Sequence, residues 1–222
     1  MMSTKYKGVL IFGILYIVLF VFDGIRVFDA PLPSSAGTYL VYTIMFVYGC
    51  FLFKSLLLQK WEEVRNSKRK FIFGVLTGWL FLILMTVVFG FVSEMLRQML
   101  GLSGQGLNEA NIQTAFKEQP LLIVVFACII GPLVEELFFR QLLLHHLQKS
   151  LPSWLSILLV GFIFALTHMH NLSLSEWVGA VGYLGGGLAF SIIYVKEKEN
   201  VYYPLLVHML GNSLSFIILA LF

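Results

Sequence analysis

The chain has 222 residues, of which 59% are hydrophobic and 12% are charged, and its formal net charge is +3. A soluble domain is typically about half apolar and about a quarter charged, so this composition excludes an ordinary soluble globular protein. The small net charge, carried by basic residues near predicted membrane edges, gives no indication of nucleic-acid binding. Long apolar runs instead predict that the bilayer is the solvent for most of the chain.

Seven apolar segments are candidates for membrane crossing. In chain order they cover residues 6–22, 38–58, 71–92, 121–144, 154–167, 177–195 and 203–222. The first and the fifth are short against the roughly 20 residues that a spanning helix needs. Because unpaired backbone groups are costly in lipid, all seven are predicted to be helical. The sequence therefore predicts an all-α, polytopic transmembrane helical bundle of about seven spans, forming a single integral membrane domain over residues 1–222.

The basic residues are distributed unevenly between the predicted loops. With the N-terminus inside, eleven of the 15 lysine and arginine residues lie in cytoplasmic segments. Only Arg26, Arg97 and Lys117 lie outside, and Arg140 falls within a span. Cytoplasmic loops of membrane proteins carry this excess of positive charge. We therefore expect a multi-pass protein of the cell membrane with a cytoplasmic N-terminus and a C-terminus outside.

The fourth segment contains three ionisable side chains, which are costly inside a membrane and indicate function. Glu136 and Arg140 are four residues apart, so they share a helix face and are predicted to form a structural ion pair. Glu135 points roughly 100° away from Glu136, which leaves it available as a general base. The preceding Gly131-Pro132 is expected to break or kink the helix. A buried ion cluster that only fixes helix packing is the alternative, but packing does not require the second glutamate.

Further polar side chains occur in the fifth and seventh segments. His168 follows Phe164 by one helical turn and is predicted to face inward, whereas His170 lies near the segment boundary. His208 and Asn212 are four residues apart on one face, and two neighbouring donors suit an oxyanion site. A single buried histidine often serves only to bind helices together. Polar groups of these types on three separate spans favour a catalytic site instead.

Three short motifs carry a family resemblance: Glu135-Glu136-x-x-x-Arg140, Phe164-x-x-x-His168 and His208-x-x-x-Asn212. In this order on successive spans they resemble the CPBP family, the CAAX proteases and bacteriocin-processing or bacteriocin-immunity proteins also called the Abi family. The resemblance covers roughly residues 121–222, which would form the catalytic core. It implies an intramembrane endopeptidase of the glutamate type, acting on a membrane-associated peptide or protein.

The resemblance also implies a role for each motif residue. Glu135 with His168 would activate a water molecule, and His208 with Asn212 would hold the oxyanion. Glu136 with Arg140 would brace the site. The family has also been described as metalloproteases, and glutamate and histidine can bind zinc, but the sequence contains no HExxH helix. A site without metal or other cofactor is therefore favoured, with zinc as the alternative.

Two questions stay open at the level of the sequence. At about 1.5 Å per residue, His208 falls near the cytoplasmic side and His168 nearer the outside, so a tilt, a broken fourth span or a late start to the fifth must bring them together. The chain could also be a non-catalytic membrane scaffold, such as an immunity protein or a sensor-kinase partner. A small transporter is less favoured, because the sequence lacks two matching interrupted spans. The expected partners are a membrane-embedded substrate and the lipid bilayer.

Overall fold

The computed structural model describes residues 4–22, 36–104 and 106–221. Within these ranges the chain is helical and contains no β-strand, which confirms the predicted all-α class. The helices are α1 (Thr4–Tyr16, continued by a π-helical turn at Ile17–Val21), α2 (Ala36–Leu52), α3 (Lys54–Asn66), α4 (Lys68–Met99), α5 (Leu107–Glu118), α6 (Pro120–Leu147), α7 (Ser153–Leu166), α8 (Leu174–Lys196) and α9 (Tyr202–Leu221). Arg26, one of the three basic residues predicted to lie on the outer side, is not among the described residues.

The helices differ in their ability to cross a membrane. Four of them, α4, α6, α8 and α9, are long and apolar enough, and the pair α2 and α3 qualifies as one broken span bent by 74°. Helix α7 has 14 residues, so it extends about 21 Å, less than the roughly 30 Å of a hydrocarbon core. Helix α1 is also a shorter apolar helix. All seven predicted segments are helical, but the predicted count of seven crossings is not confirmed.

Helix α8 packs closely against two neighbours at glycine positions. A Cβ atom added at Gly185 would lie 2.7 Å from the Met85 carbonyl oxygen of α4. One added at Gly187 would lie 2.7 Å from the Gly161 carbonyl oxygen of α7. Only the missing side chains allow the backbones to approach so closely, as is usual for small residues between membrane helices. This packing holds α7 against α8 and so fixes the loop that follows α7.

Several connecting segments that contain basic residues meet at one end of the bundle. The Lys60 ammonium group of α3 donates to the Lys198 carbonyl oxygen at 3.4 Å. The Asn200 side chain, which is buried, donates to the Lys60 carbonyl oxygen at 3.0 Å. His145, near the end of α6, lies 2.7 Å from the Glu199 carboxylate. The connections after α3, α6 and α8 therefore share one side of the protein.

Substitution of Gly187 by alanine should destabilise the protein, whereas the same change at Gly182 should not. The new methyl group at position 187 would press on the backbone of Gly161, and overpacking of this kind costs roughly 1–3 kcal/mol. No atom lies within 4 Å of a Cβ at Gly182, and alanine is the better helix former. Thermal unfolding of both variants in the same detergent measures the difference. Equal melting temperatures would contradict the proposed close packing.

Candidate active site

Helix α6 contains a π-helical turn, Phe126–Ile130, directly before Gly131 and Pro132. The expected break does not occur, because the helix continues to Leu147. The Gly131 amide donates to the carbonyl oxygen of Phe126, five residues back. Pro132 has no N–H and cannot make the next bond of this kind, to Ala127. The wider turn thus accommodates the proline, and it leaves the Ala127 carbonyl oxygen without a backbone N–H donor.

Asn212 of α9 supplies the hydrogen bond that the Ala127 carbonyl group lacks. Its side-chain nitrogen donates to the Ala127 carbonyl oxygen at 2.7 Å. A buried carbonyl group without a partner is costly, so the asparagine compensates for the donor that Pro132 lacks. One amide hydrogen of Asn212 therefore binds the backbone of α6, and the second amide hydrogen is not used in this bond. Sequence reasoning assigned Asn212 to substrate alone and missed this structural role.

Glu136 and Arg140 lie together in the centre of the bundle, and both side chains are fully buried. Arg140 Nε is 3.2 Å from Glu136 Oε2, an ion-pair distance, but the two atoms are not aligned for a hydrogen bond. Arg140 Nη2 donates to the Gly187 carbonyl oxygen at 3.4 Å. Three aromatic rings lie 5.1–5.5 Å from the guanidinium carbon: Phe139, Phe164 and Phe190. The cation is thus balanced by one carboxylate and by aromatic faces, an arrangement typical of cation–π interactions.

Glu136 also binds His208. Its second oxygen, Oε1, lies 3.0 Å from His208 Nδ1. An ionised carboxylate can only accept a hydrogen bond, so Nδ1 carries the proton and Nε2 is the free nitrogen of the neutral ring. His208 Nε2 lies 3.8 Å from Glu135 Oε2, too far for a direct hydrogen bond. Arg140, Glu136, His208 and Glu135 therefore form a continuous series of polar contacts.

Glu135 differs from its neighbour in having no cation of its own. Its side chain is 15% exposed, and its Oε2 atom is buried without a hydrogen-bond partner. Tyr16 and Tyr42, from the first two helices, interact electrostatically with this carboxylate. Sequence reasoning confined the site to residues 121–222 and missed both tyrosines. Hydroxyl groups inside otherwise apolar segments were the signal that could have revealed them.

His168 lies in the turn immediately after α7. Its Nδ1 lies 2.9 Å from the Phe164 carbonyl oxygen. Because a carbonyl oxygen can only accept a hydrogen bond, Nδ1 carries the proton, and in the neutral ring Nε2 carries the lone pair. The Phe164 ring lies 4.8 Å from the His168 ring and 6.1 Å from the His208 ring, measured between centroids. Both histidine rings therefore lie close to the Phe164 ring. Among the described residues, no hydrogen bond or ion pair joins His168 to Glu135, the partner that the motifs implied.

The described residues do not bring together three histidine, cysteine, aspartate or glutamate side chains in an arrangement that could hold a metal ion. Structural and catalytic zinc sites use three or four protein ligands. In this site Glu136 binds His208 through Nδ1, so Nε2 is the nitrogen of this ring that could face a metal ion. The three ligands that zinc needs are not assembled among the described residues.

Comparison with known proteins finds that this region is similar to membrane proteases. Residues 117–214, which include all three motifs, match the family model described as "Type II CAAX prenyl endopeptidase Rce1-like". The "Membrane-embedded CAAX protease MroQ" of Staphylococcus aureus is 28% identical over 157 residues, 68% of this chain and 59% of that protein. The "Putative membrane peptidase YdiL" of Bacillus subtilis is 24% identical over 113 residues, 51% of this chain and 43% of YdiL. The chain thus spans less than two thirds of either relative, and no solved structure matches it.

Replacement of Asn212 by alanine should destabilise the protein because the Ala127 carbonyl group loses its donor. A buried, unsatisfied polar group costs about 1–3 kcal/mol. In a Pro132→Ala background the same replacement should cost less, since residue 132 regains an N–H and α6 can close its own hydrogen bonds. Thermal unfolding of the parent, both single variants and the double variant measures this coupling. Strictly additive effects would show that the proline and the asparagine are independent.

Arg140→Ala should reduce stability, whereas Glu135→Gln should leave it unchanged. Removing one partner of a buried ion pair costs about 3–5 kcal/mol, and Glu136 would be left without its cation. Glutamine matches glutamate in volume and strands no charge at position 135. Thermal unfolding in detergent and the amount of inserted protein measure both effects. The roles are reversed if Arg140→Ala melts like the parent and Glu135→Gln does not.

Proposed function

We propose that the chain, whose residues 117–214 match the Rce1-like family model, is an intramembrane endopeptidase that hydrolyses a peptide bond of a membrane-associated peptide or protein. This match supports a membrane peptidase, and the mechanism is our proposal. The observation that supports this proposal is the environment of the Glu135 side chain. This carboxylate is largely buried, has no cation of its own and retains an oxygen without a hydrogen-bond partner.

In the proposed reaction Glu135 acts as the general base. It takes a proton from a water molecule while the water oxygen bonds to the carbonyl carbon of the scissile peptide. The proton then passes to the peptide nitrogen as the C–N bond breaks, which yields a carboxylic acid and an amine. A positioned acid or base of this kind typically contributes about 10²–10⁴ in rate. The low exposure of the site excludes bulk water and strengthens these electrostatic interactions.

His208 is the histidine whose geometry best supports direct cooperation with Glu135. Glu136 fixes its Nδ1, so Nε2 is directed towards Glu135 Oε2 at 3.8 Å. A water molecule that contacts both atoms would be held where the base can deprotonate it. We propose that His168, whose ring also lies beside Phe164, holds the same water through its free Nε2. This shares between two histidines the role that the family resemblance assigned to His168 alone.

Stabilisation of the oxyanion is proposed for Asn212 and His208 together. The amide hydrogen of Asn212 that does not bind Ala127 is available to the substrate. In this scheme the proton that Glu135 takes from the water passes to His208 Nε2, 3.8 Å away, before it reaches the peptide nitrogen, and the ring then donates from Nε2 to the oxyanion. Two carboxylates face the ring and balance its charge. The developing negative charge would then meet two donors from neighbouring turns of α9. Removal of one such donor typically reduces kcat by about 10²–10³.

The substrate is proposed as a class. A buried site within apolar helices suits a peptide bond carried into the membrane by a hydrophobic segment. Bacteriocin precursors, peptide pheromones and membrane regulators are peptides or proteins of this kind. We propose further that the end of the bundle that contains Lys60 and Lys198 faces the cytoplasm, in keeping with the distribution of positive charge.

Glu135→Gln should abolish cleavage in a folded and inserted protein. Membrane peptides from cells that contain the parent can be compared with those from cells that contain the variant, and peptides that disappear with the variant are candidate products. A purified candidate substrate, incubated with each protein in detergent, then measures the rate directly. Glu62→Gln on α3, the same exchange at an exposed position with no part in the proposed chemistry, is the control and should cleave like the parent.

Two further measurements separate the alternatives. Full activity in strong chelator after metal-free purification is expected for the glutamate mechanism, and loss of activity that zinc restores would replace it with a metal mechanism. Rescue of a deletion phenotype by Glu135→Ala would favour the non-catalytic scaffold. Cleavage by Glu135→Gln at the parent rate would remove Glu135 from the role of base.

A further inference from the structure

Helix α5 is joined to α8 through the hydroxyl group of Tyr183. This hydroxyl accepts a hydrogen bond from the Asn108 side chain at 2.6 Å and donates one to the Glu109 carboxylate. Asn108 and Glu109 belong to the first turn of α5. The other face of the same tyrosine stacks on His168, with ring centroids 4.1 Å apart and 21° between the planes. Tyr183 therefore connects a polar helix outside the catalytic motifs with a proposed catalytic histidine.

A second connection runs through Glu176, in the first turn of α8. Its side chain is buried, and one carboxylate oxygen accepts from the Leu107 amide at 3.0 Å. The other oxygen accepts from the His170 amide at 2.9 Å. Ser173 caps the helix at the same point, where its hydroxyl oxygen accepts from the Glu176 amide. One carboxylate thus ties the beginning of α5 to the loop that contains His168.

His168 needs such support because it lies beyond the end of α7. The turn holds its backbone, since the His168 amide donates to the Ala165 carbonyl oxygen at 3.2 Å, but the side chain needs contacts of its own. The bond from Nδ1 to the Phe164 carbonyl oxygen sets the direction of the ring, and the Phe164 ring lies beside it, tilted by 45°. Among the described residues, Tyr183 is the one whose ring stacks on His168 face to face, so rotation of the imidazole requires displacement of the tyrosine. The two hydrogen bonds to α5 resist that displacement.

We infer that Tyr183 and Glu176 are positioning residues for His168, and that α5 sets the geometry of the active site through them. The inference rests on the proposed function, since it assigns a purpose to the placement of a proposed catalytic residue. Neither residue touches the reacting atoms in this scheme. Their effect is on the orientation of Nε2 of His168, and misplacement of a catalytic group by about 1 Å can cost about 10²-fold in rate.

The experiment compares Tyr183→Leu, which removes both the stacking and the hydrogen bonds, with Tyr183→Phe, which keeps the ring. Tyr202→Leu, a tyrosine substitution near Trp61 at the opposite end of the bundle, is the matched control. The first readout is the rate at which diethyl pyrocarbonate modifies His168, measured by mass spectrometry of the protein in detergent. The second is kcat and KM for a cleaved substrate. The third is the melting temperature.

For Tyr183→Leu we expect faster modification of His168 and a kcat reduced by up to about 100-fold, with KM within about twofold of the parent. Tyr183→Phe should lie between the parent and Tyr183→Leu, and the control should match the parent in modification and kcat. Unchanged modification together with unchanged kcat would overturn the inference. A lower kcat with a lower melting temperature but unchanged modification would also overturn it, because the tyrosine would then be merely structural.

A milder pair of substitutions covers the case in which Tyr183→Leu fails to fold. Asn108→Ala combined with Glu109→Ala removes both anchors on α5 and leaves the tyrosine ring in place. An increase in His168 modification similar to that of Tyr183→Phe is expected, and its absence would contradict control by α5. The modification readout needs no substrate. If the parent cleaves nothing, the proposed function fails, while the labelling contrast still decides whether Tyr183 holds His168.

Discussion

The buried cation of Arg140 is the constraint on which the rest of the bundle depends. An arginine in the centre of an apolar protein is tolerated only when its charge is balanced. Glu136 supplies the balancing charge at 3.2 Å, and three phenylalanine rings from α6, α7 and α8 surround the guanidinium group. These helices must therefore meet at one point. The same point holds His208, because the second oxygen of Glu136 is bound to that ring.

Glu136 thus has two functions that cannot be separated by substitution. One oxygen faces Arg140 and the other orients His208, so loss of the carboxylate would release a cation and a proposed catalytic histidine together. Glu135, one residue earlier, has neither duty, which leaves its charge free for the proposed chemistry. Adjacent residues on a helix point in directions roughly 100° apart. This simple geometry gives two identical side chains different surroundings and different uses.

The sequence was most informative where a regular period determines the answer. The apolar segments gave the helices, and the spacing of four residues placed Glu136 beside Arg140. The number of crossings is not confirmed, because an apolar run reveals composition but not whether a 14-residue helix reaches across a bilayer. The partners of His208 and Asn212 lay beyond sequence reasoning, since contacts between helices depend on packing rather than on periodicity. The stacking of Tyr183 on His168 depends in the same way on how α7 and α8 approach each other through glycines.

The bond between Asn212 and the Ala127 carbonyl group has an evolutionary consequence. Position 132 tolerates proline only while a donor from α9 satisfies the carbonyl group that proline leaves open, and Asn212 is that donor. Exchange of the proline for a residue with an N–H would release the asparagine and free both of its amide hydrogens. Exchange of the asparagine for aspartate would place a carboxylate oxygen against the Ala127 carbonyl oxygen, and both groups accept hydrogen bonds. The two residues concerned are 85 positions apart in sequence. We therefore expect mutational drift at positions 132 and 212 to be correlated, because a change at one alters which changes selection permits at the other.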